Sequence, residues 1–123
     1  MSKADLIKSL YTNPASVMQY AAPNFRIHST GRNMIAGLYT GLAEVKARFE
    51  LMDAMTNNTF EHSLVAPCLA DDTWGMSVVR LIGQRKDKSI DMFGFGLWKF
   101  EGDLITDHWE CPCDMKAWDE FWS

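Results

Sequence analysis

The chain has 123 residues, of which 47% are hydrophobic and 23% charged, and its formal net charge is −4 at pH 7. We therefore expect one ordinary globular domain over 1–123. The acidic balance and the lack of a basic cluster argue against nucleic acid and membrane as partners. No apolar run approaches the roughly 20 residues that span a bilayer. Since the charged start of the chain also lacks a signal-peptide core, the sequence predicts a cytoplasmic protein.

In chain order, the predicted elements of the first half are helices over 3–11, 14–21 and 41–55, a strand over 25–29 and an irregular segment over 30–37. The second helix is predicted because Asn13 followed by Pro14 is a helix-start signal. The strongest helix is 41–55, where apolar residues recur at the spacing of one buried face: Leu42, Val45, Phe49 and Met52. On its other face, Glu44 and Arg48 are four residues apart, as in an exposed ion pair.

The second half predicts an antiparallel meander, because segments rich in aromatic and β-branched residues alternate with polar turns. The predicted strands are 59–69, 73–84, 89–100 and 104–110, and a last helix over 115–122 follows Asp114 as its N-cap. Helices gathered on one face of an antiparallel sheet make an α+β domain. We expect a cone-shaped curved sheet wrapped around helices, with a cavity suited to a small molecule on its concave side.

The strand over 89–100 is apolar on both faces. One face carries Met92, Gly94, Gly96 and Trp98, and the other carries Phe93, Phe95 and Leu97. One face is predicted to line the cavity. The other is predicted to be covered by a second subunit, which would make the protein a homodimer through the outer sheet face.

Metal and cofactor signals are weak. Cys111 and Cys113 form a C-P-C run and Cys68 stands alone, a spacing that differs from the paired cysteines of structural zinc sites. No two histidines have a metal-ligand spacing, and no glycine-rich phosphate loop is present. We predict no metal, no cofactor and free thiols, with a redox or metal role of the C-P-C run as the alternative.

Five segments together resemble the SnoaL-like polyketide cyclases, within the nuclear transport factor two and ketosteroid isomerase superfamily. They are QYAAPNFRIHSTG (19–31), AGLYTGLAEVKARF (36–49), LADD (69–72), LWKFEGDLITDHWE (97–110) and DMKAWDEFW (114–122). The resemblance implies a cystatin-like α+β barrel. It does not settle function, because this superfamily hosts isomerases, cyclases, dehydratases, epoxide hydrolases and non-catalytic binding proteins.

The resemblance also implies catalytic positions. In the ketosteroid isomerases the general-base Asp follows a Tyr-Ala pair and a short strand, and the same spacing from Tyr20-Ala21 leads to His28. An imidazole can act as a base near neutral pH, so His28 is the predicted catalytic base. The protonated Asp that those isomerases use as oxyanion donor falls on Gly96, and Tyr11 is not well placed to replace their helix-one Tyr. Both departures weaken the case for steroid isomerase chemistry.

His108 is the second predicted catalytic residue. It shares one strand face with Glu110, whereas Asp107 and Trp109 share the other. The preceding turn is one residue longer than the usual turn of the family, so the resemblance leaves open which face points inward. If His108 points inward, the His–Glu pair is an acid–base unit. The predicted ligand-binding residues are Tyr39, Met92, Gly96, Trp98 and Trp109.

The sequence therefore predicts a protein that binds a small apolar molecule. One hypothesis is proton transfer on a small carbonyl compound, as in an isomerase, cyclase or dehydratase. The alternatives are a non-catalytic carrier or sensor and a dimerising interaction module. His62 is predicted to be a surface or core-edge residue, and Arg80 to lie on the outer sheet face, away from Gly96.

Overall fold

The computed structural model describes all 123 residues. The helices are α1 (Lys3–Thr12), α2 (Val17–Tyr20), α3 (Leu42–Thr56) and α4 (Met115–Phe121), and a 3-10 turn over Pro14–Ser16 joins α1 to α2. The strands are β1 (Ala21–Ser29), β2 (Gly37–Thr40), β3 (Glu61–Leu64), β4 (Leu69–Ala70), β5 (Trp74–Arg85), β6 (Lys88–Glu101) and β7 (Leu104–Pro112). No helix is both long and apolar enough to cross a membrane.

One curved sheet of seven strands holds the α+β fold together, in the order β2-β1-β7-β6-β5-β3, with β4 also paired to β5. The long antiparallel ladders of β5 with β6 and of β6 with β7 are the predicted meander. The sheet is nevertheless mixed and not purely antiparallel, because β1 runs parallel to β7. A parallel pair needs a long crossover, and here the crossover contains β2, α3 and the strands β3 to β6.

Several predicted elements differ in detail. The strand predicted over 25–29 begins four residues earlier, as β1 at Ala21. The strand predicted over 59–69 is divided into β3 and β4, and Pro67, which has no N–H for the ladder, lies between them. The helix predicted over 14–21 is a 3-10 turn followed by a single helical turn, because β1 already begins at Ala21. The short strand β2 begins at the end of the segment predicted to be irregular and pairs with β1.

The buried face of α3 differs from the predicted one, which was drawn from its apolar residues alone. Its buried residues are Val45, Arg48, Met52 and Thr56. Arg48 is only 1% exposed, so the predicted exposed pair with Glu44 does not form. Glu44 Oε1 instead accepts a hydrogen bond from the Thr40 backbone N–H at 3.2 Å.

The helix α4 closes one end of the core. It begins as predicted at Asp114, whose side chain accepts a hydrogen bond from the Ala117 N–H at 3.0 Å. Trp118, Phe121 and Trp122 are almost completely buried against an apolar cluster that includes Leu81 and Ile90. These aromatic side chains therefore support the end of the sheet and leave the centre of the cone open.

Candidate functional site

A cavity of about 820 Å³ lies between the helices and the concave face of the sheet. Most of its lining side chains are apolar, among them Leu10 of α1, Ile27 of β1, Phe49 of α3 and Leu81 of β5. Ligand pockets in proteins usually measure about 300–1,000 Å³ and combine apolar walls with a few placed polar groups. The cone is therefore a chamber of ligand size and is not filled by its own aromatic residues.

Polar groups from α1, β5 and β7 meet above Gly96 at the floor of this cavity. The Tyr11 hydroxyl lies 2.8 Å from Ser77 Oγ, and Trp98 Nε1 donates to Ser77 Oγ at 3.1 Å. A Cβ at position 96 would lie 2.7 Å from Ser77 Oγ, 2.8 Å from His108 Cε1 and 2.9 Å from the Tyr11 hydroxyl. A side chain at position 96 would enter the polar cluster, so Ser77, His108 or Tyr11 would have to shift to admit it.

Tyr11 is the first residue whose role the sequence analysis missed. It lies four residues after Ile7, so it continues the buried stripe of α1, and its hydroxyl reaches the cavity floor. The sequence analysis did not place Tyr11 in the cavity, and the structure does. Burial raises the pKa of Tyr11, so the hydroxyl stays protonated and can act as a hydrogen-bond donor.

His108 points into the cavity. Pairing of Trp98 with His108 in the β6–β7 ladder settles the register that the sequence left open. The imidazole stacks on the Trp98 indole, with ring centroids 3.7 Å apart, and its Nδ1 lies 3.2 Å from the Leu97 carbonyl oxygen. Burial, and next the positive charge of Arg48, lower the pKa of His108 to about 3. The ring is therefore neutral at physiological pH.

His62 is the second missed residue. It lines the cavity from β3, with its ring edge-to-face against Tyr11 at 5.3 Å between centroids. Neither ring nitrogen makes a hydrogen bond within the protein, and burial lowers the pKa of His62. The apolar residues Phe60 and Leu64, which share its strand face, were the signal that this histidine points inward.

A buried ion pair joins Glu110, at the cavity wall, to Arg48 behind it. Arg48 Nη2 donates to Glu110 Oε1 and to Ser29 Oγ, both at 3.1 Å. The Arg48 side chain is fully enclosed, and its Nε and Nη1 atoms have no hydrogen-bonding partner. Glu110 lines the cavity beside His108 as expected for an inward strand face, but its charge is compensated by Arg48.

His28 lies on the opposite face of the sheet, and this corrects the prediction that it opens into the cavity. The inner positions of β1 are taken by Phe25, Ile27 and Ser29, so strand alternation turns His28 outward. Its Nε2 lies 2.8 Å from Asp107 Oδ2, and its ring stacks on Trp109 at 4.4 Å. His28 and His108 consequently do not form a catalytic pair in one cavity.

Asp107 is the buried partner of this outer cluster. Burial acts to raise its pKa, but hydrogen bonds from His28 and Thr106 and the charge of Arg26 outweigh burial and lower the pKa of Asp107. Arg26 Nη2 approaches the same carboxylate oxygen at 3.0 Å. The cluster is thus an ion-paired surface feature with no opening to the cavity.

Of the five predicted ligand-binding residues, Gly96 and Trp98 line the cavity. Tyr39 lies behind its wall, because its hydroxyl donates to the Ile35 carbonyl at 2.9 Å. Met92 is on the inner face of β6 but packs against the apolar cluster at α4. Trp109 is on the outer face, stacked on His28, so its predicted contact with a ligand in the cavity is wrong.

No cluster of three or more His, Cys, Asp or Glu side chains is placed to hold a metal ion. The three cysteines are free thiols. Burial raises the pKa of the Cys111 thiol, which is the opposite of what an activated thiolate needs. Cys111 is therefore not an activated thiolate.

No family model matches the sequence, and no curated protein matches it significantly. Solved structures do match. Bal32a, from a soil-derived mobile gene cassette, is 26% identical with a TM-score of 0.89, over 98% of this chain and 95% of that one. A protein of unknown function with a cystatin-like fold from Xanthomonas campestris is 23% identical with a TM-score of 0.91, over 100% and 99%. A putative SnoaL-like polyketide cyclase from Jannaschia sp. CCS1 is 11% identical with a TM-score of 0.77, over 97% and 90%.

These similarities place the chain by fold. It has a cystatin-like α+β fold, as the sequence resemblance implied, and it shares this fold with a putative SnoaL-like polyketide cyclase and with an NTF2-like protein of unknown function. Fold similarity at these identities does not transfer a reaction or a ligand. The function has to be argued from the cavity itself.

Proposed function

We propose that the protein binds a small, largely apolar molecule in the cavity, with the polar end of that molecule at the Tyr11 hydroxyl. The observation that carries this proposal is a single chamber of about 820 Å³ with apolar walls and a polar floor. Apolar walls supply affinity by removing ligand surface from water. The few polar groups at the floor fix the orientation of the ligand.

The charge state of the floor favours an uncharged ligand. His62 and His108 are neutral and Tyr11 is protonated, and the carboxylate of Glu110 is already paired with Arg48. A charged ligand group brought to this floor would lose its hydration without gaining a free counter-ion, which is costly. We therefore expect neutral ring compounds to bind better than carboxylates of the same size.

Titration with the neutral fluorescent probe 1-aminoanthracene tests this function. We expect saturable binding by the wild type and at least tenfold weaker binding by Ala15→Trp, which plugs the cavity mouth. Ala70→Trp, at an exposed site on β4 away from the cavity, is the matched control and should bind as the wild type does. Absence of saturable binding, or equal binding by Ala15→Trp, would reject the proposal.

A second candidate function is proton transfer at a carbon next to a carbonyl, and the unpaired nitrogens of His62 beside Tyr11 favour it. In this reaction a neutral His62 nitrogen takes the proton, the C–H electron pair forms the enolate double bond, and Tyr11 donates to the carbonyl oxygen. The His62 proton then returns to carbon. His108 Nδ1 is held by the Leu97 carbonyl oxygen, whereas both nitrogens of His62 are free to take a proton, so we assign the role to His62.

Deuterium uptake by 2-tetralone in D₂O, followed by NMR, separates the two functions. Catalysis requires uptake faster than in buffer and loss of the acceleration in His62→Phe. If the wild type binds 2-tetralone without accelerating uptake, the protein is a binding protein only.

We also propose that a second copy of the chain covers the outer sheet face. This face carries exposed apolar side chains on neighbouring strands: Trp74, Met76, Phe93 and Phe95. It also carries Arg80 and Asp91 side by side, so a two-fold contact can set Arg80 of each copy against Asp91 of the other. A patch with both charges and apolar surface is complementary to itself.

Sedimentation velocity over a concentration series tests this interface. We expect a dimer for the wild type and a monomer for Phe93→Glu, which places a charge in the centre of the patch. Met18→Glu is the matched control, because Met18 is equally exposed but lies at the cavity mouth. A monomeric wild type at high concentration would contradict the interface.

A further inference from the structure

The hydrogen-bonding directions at the cavity floor can be assigned from the geometry of His108. Its Nδ1 faces the Leu97 carbonyl oxygen at 3.2 Å, and a carbonyl oxygen can only accept. In the neutral ring Nδ1 therefore carries the proton and Nε2 carries the lone pair. Nε2 has no hydrogen-bonding partner in the protein. It is also not fully enclosed, because the only fully enclosed polar side-chain atoms without a partner belong to Arg48 and Trp122. Nε2 is thus an acceptor that stays open to the cavity.

Tyr11 supplies the matching donor. Ser77 Oγ already accepts from Trp98 Nε1, and its own proton has two possible acceptors: the Tyr11 oxygen at 2.8 Å and the Gly96 carbonyl oxygen at 3.5 Å. The shorter contact is the real hydrogen bond, since 3.5 Å lies beyond the normal range. Either oxygen of that contact can donate. When a ligand acceptor takes the Tyr11 proton, the Ser77 hydroxyl can donate to the Tyr11 oxygen, while Trp98 Nε1 still donates to Ser77 Oγ.

The Tyr11 hydroxyl, as donor, and His108 Nε2, as acceptor, lie on the same side of the cavity, close to Gly96. The Tyr11 oxygen and His108 Cε1, which is bonded to Nε2, lie 2.9 and 2.8 Å from the point where a Cβ on Gly96 would stand. Both residues therefore border the same region of the cavity above Gly96.

We propose that the floor of the cavity selects a neutral ring compound bearing a hydroxyl group, which accepts from Tyr11 and donates to Nε2 of His108. This inference rests on the proposed binding function and names its ligand class. A ketone or an ether accepts from Tyr11 but leaves Nε2 without a donor. A carboxylate also lacks the proton and adds a charge.

Displacement of 1-aminoanthracene by two naphthalenes of matched shape tests the selection. 2-Naphthol can donate and accept, whereas 2-methoxynaphthalene can only accept. We expect the wild type to bind 2-naphthol at least about tenfold more tightly, because an unpaired buried acceptor is unfavourable. His108→Phe should remove the preference. His28→Phe makes the same substitution on the outer face and should keep it.

A second measurement uses only the wild type, so its result does not depend on whether His108→Phe folds. The ¹⁵N resonance of His108 Nε2 should shift on addition of 2-naphthol and stay in place with 2-methoxynaphthalene. Equal affinities for the two compounds, or a preference that persists in His108→Phe, would overturn the inference. If both compounds bind equally well, the binding function stands and only the hydroxyl selection fails. If neither compound nor the probe binds, the proposed function itself fails.

Discussion

The two faces of the sheet use the same side-chain pair in different ways. His28 stacks on Trp109 outside and His108 stacks on Trp98 inside, with ring centroids 4.4 and 3.7 Å apart. In the β1–β7 ladder His108 pairs with Ile27, one residue before His28. Because neighbouring residues of a strand point to opposite faces, this single step separates a surface histidine with a carboxylate partner from a neutral histidine in a cavity.

Each face of the sheet also carries an ion pair, buried on the inner face and exposed on the outer face. Arg48 and Glu110 are 3.1 Å apart inside, with side chains 0% and 10% exposed, whereas Arg80 and Asp91 are 2.6 Å apart outside, with side chains 48% and 56% exposed. The shorter contact is the more exposed one. Solvent, more than distance, decides what such a pair contributes: buried pairs are costly to break, and exposed pairs contribute little.

The largest effect is expected from breaking the inner pair. Arg48→Met leaves Glu110 as an uncompensated charge at the cavity wall, and we expect the free energy of unfolding to fall by about 3–5 kcal/mol. Urea denaturation at pH 7 measures this change. Arg48→Met combined with Glu110→Leu should recover part of the loss, because no lone charge is left behind. A double variant as unstable as the single one would show that the charge is not the cause.

The second-largest effect is a loss of stability at acidic pH, which we expect from His108 on the inner face and not from the outer face. The pKa of His108 is about 3 in the folded protein and 6.5 in a free side chain, so the unfolded chain binds more protons between these values. Stability contributed by the neutral ring is complete above pH 6.5 and falls as the pH is lowered, by about 2 kcal/mol between pH 7 and pH 5. The lowered pKa of His62 acts in the same direction.

Urea denaturation at pH 7, 6 and 5 measures this slope. His108→Phe should have a flatter profile than the wild type. Phe93→Ala on the outer face should keep the wild-type profile even if it changes the stability itself. A His108→Phe profile as steep as that of the wild type would assign the acid sensitivity to other groups.

The third effect concerns Gly96, where the inner face has no room for a side chain. We expect Gly96→Ala to weaken binding of 1-aminoanthracene about tenfold, or about 1.4 kcal/mol, because the new Cβ meets Ser77, His108 and Tyr11 at less than 3.0 Å. Leu97→Ala, one residue along on the outer face, is the control and should bind normally. Full affinity in Gly96→Ala would mean that ligands do not use the polar floor.

Local patterns predicted much of this fold because they depend on near neighbours in sequence. Strand alternation assigned Gly96 and Trp98 to one face and Phe93 to the other, and the Asp114 cap and the three aromatic residues of α4 were found in the same way. The outward position of Arg80 was predicted from the length of the 85–88 turn, which puts it on the face of Phe95, and its pairing with Phe93 in the β5–β6 ladder confirms it.

The site was harder to predict because alternation says which residues share a face but not which face is inward. That choice depends on long-range pairing, such as the contact between His28 and Asp107, 79 residues apart. Arg48 was missed for another reason: it has the spacing of a buried residue between Val45 and Met52, but its charge suggested solvent. Its partner Glu110 lies 62 residues away in sequence.

The smallest effect on stability is expected from breaking the outer ion pair of Arg80 and Asp91. The same substitution also tests whether a second copy of the chain covers that face. In dilute, monomeric protein Arg80→Ala should leave urea stability unchanged within error, because water already screens both charges. If a second copy covers the face, the pair is desolvated, and the same substitution should weaken the dimer in sedimentation velocity. An unchanged dimer would place Arg80 outside the contact. A destabilised monomer would mean that the outer pair behaves like the inner one, and that exposure does not explain the difference between the two faces.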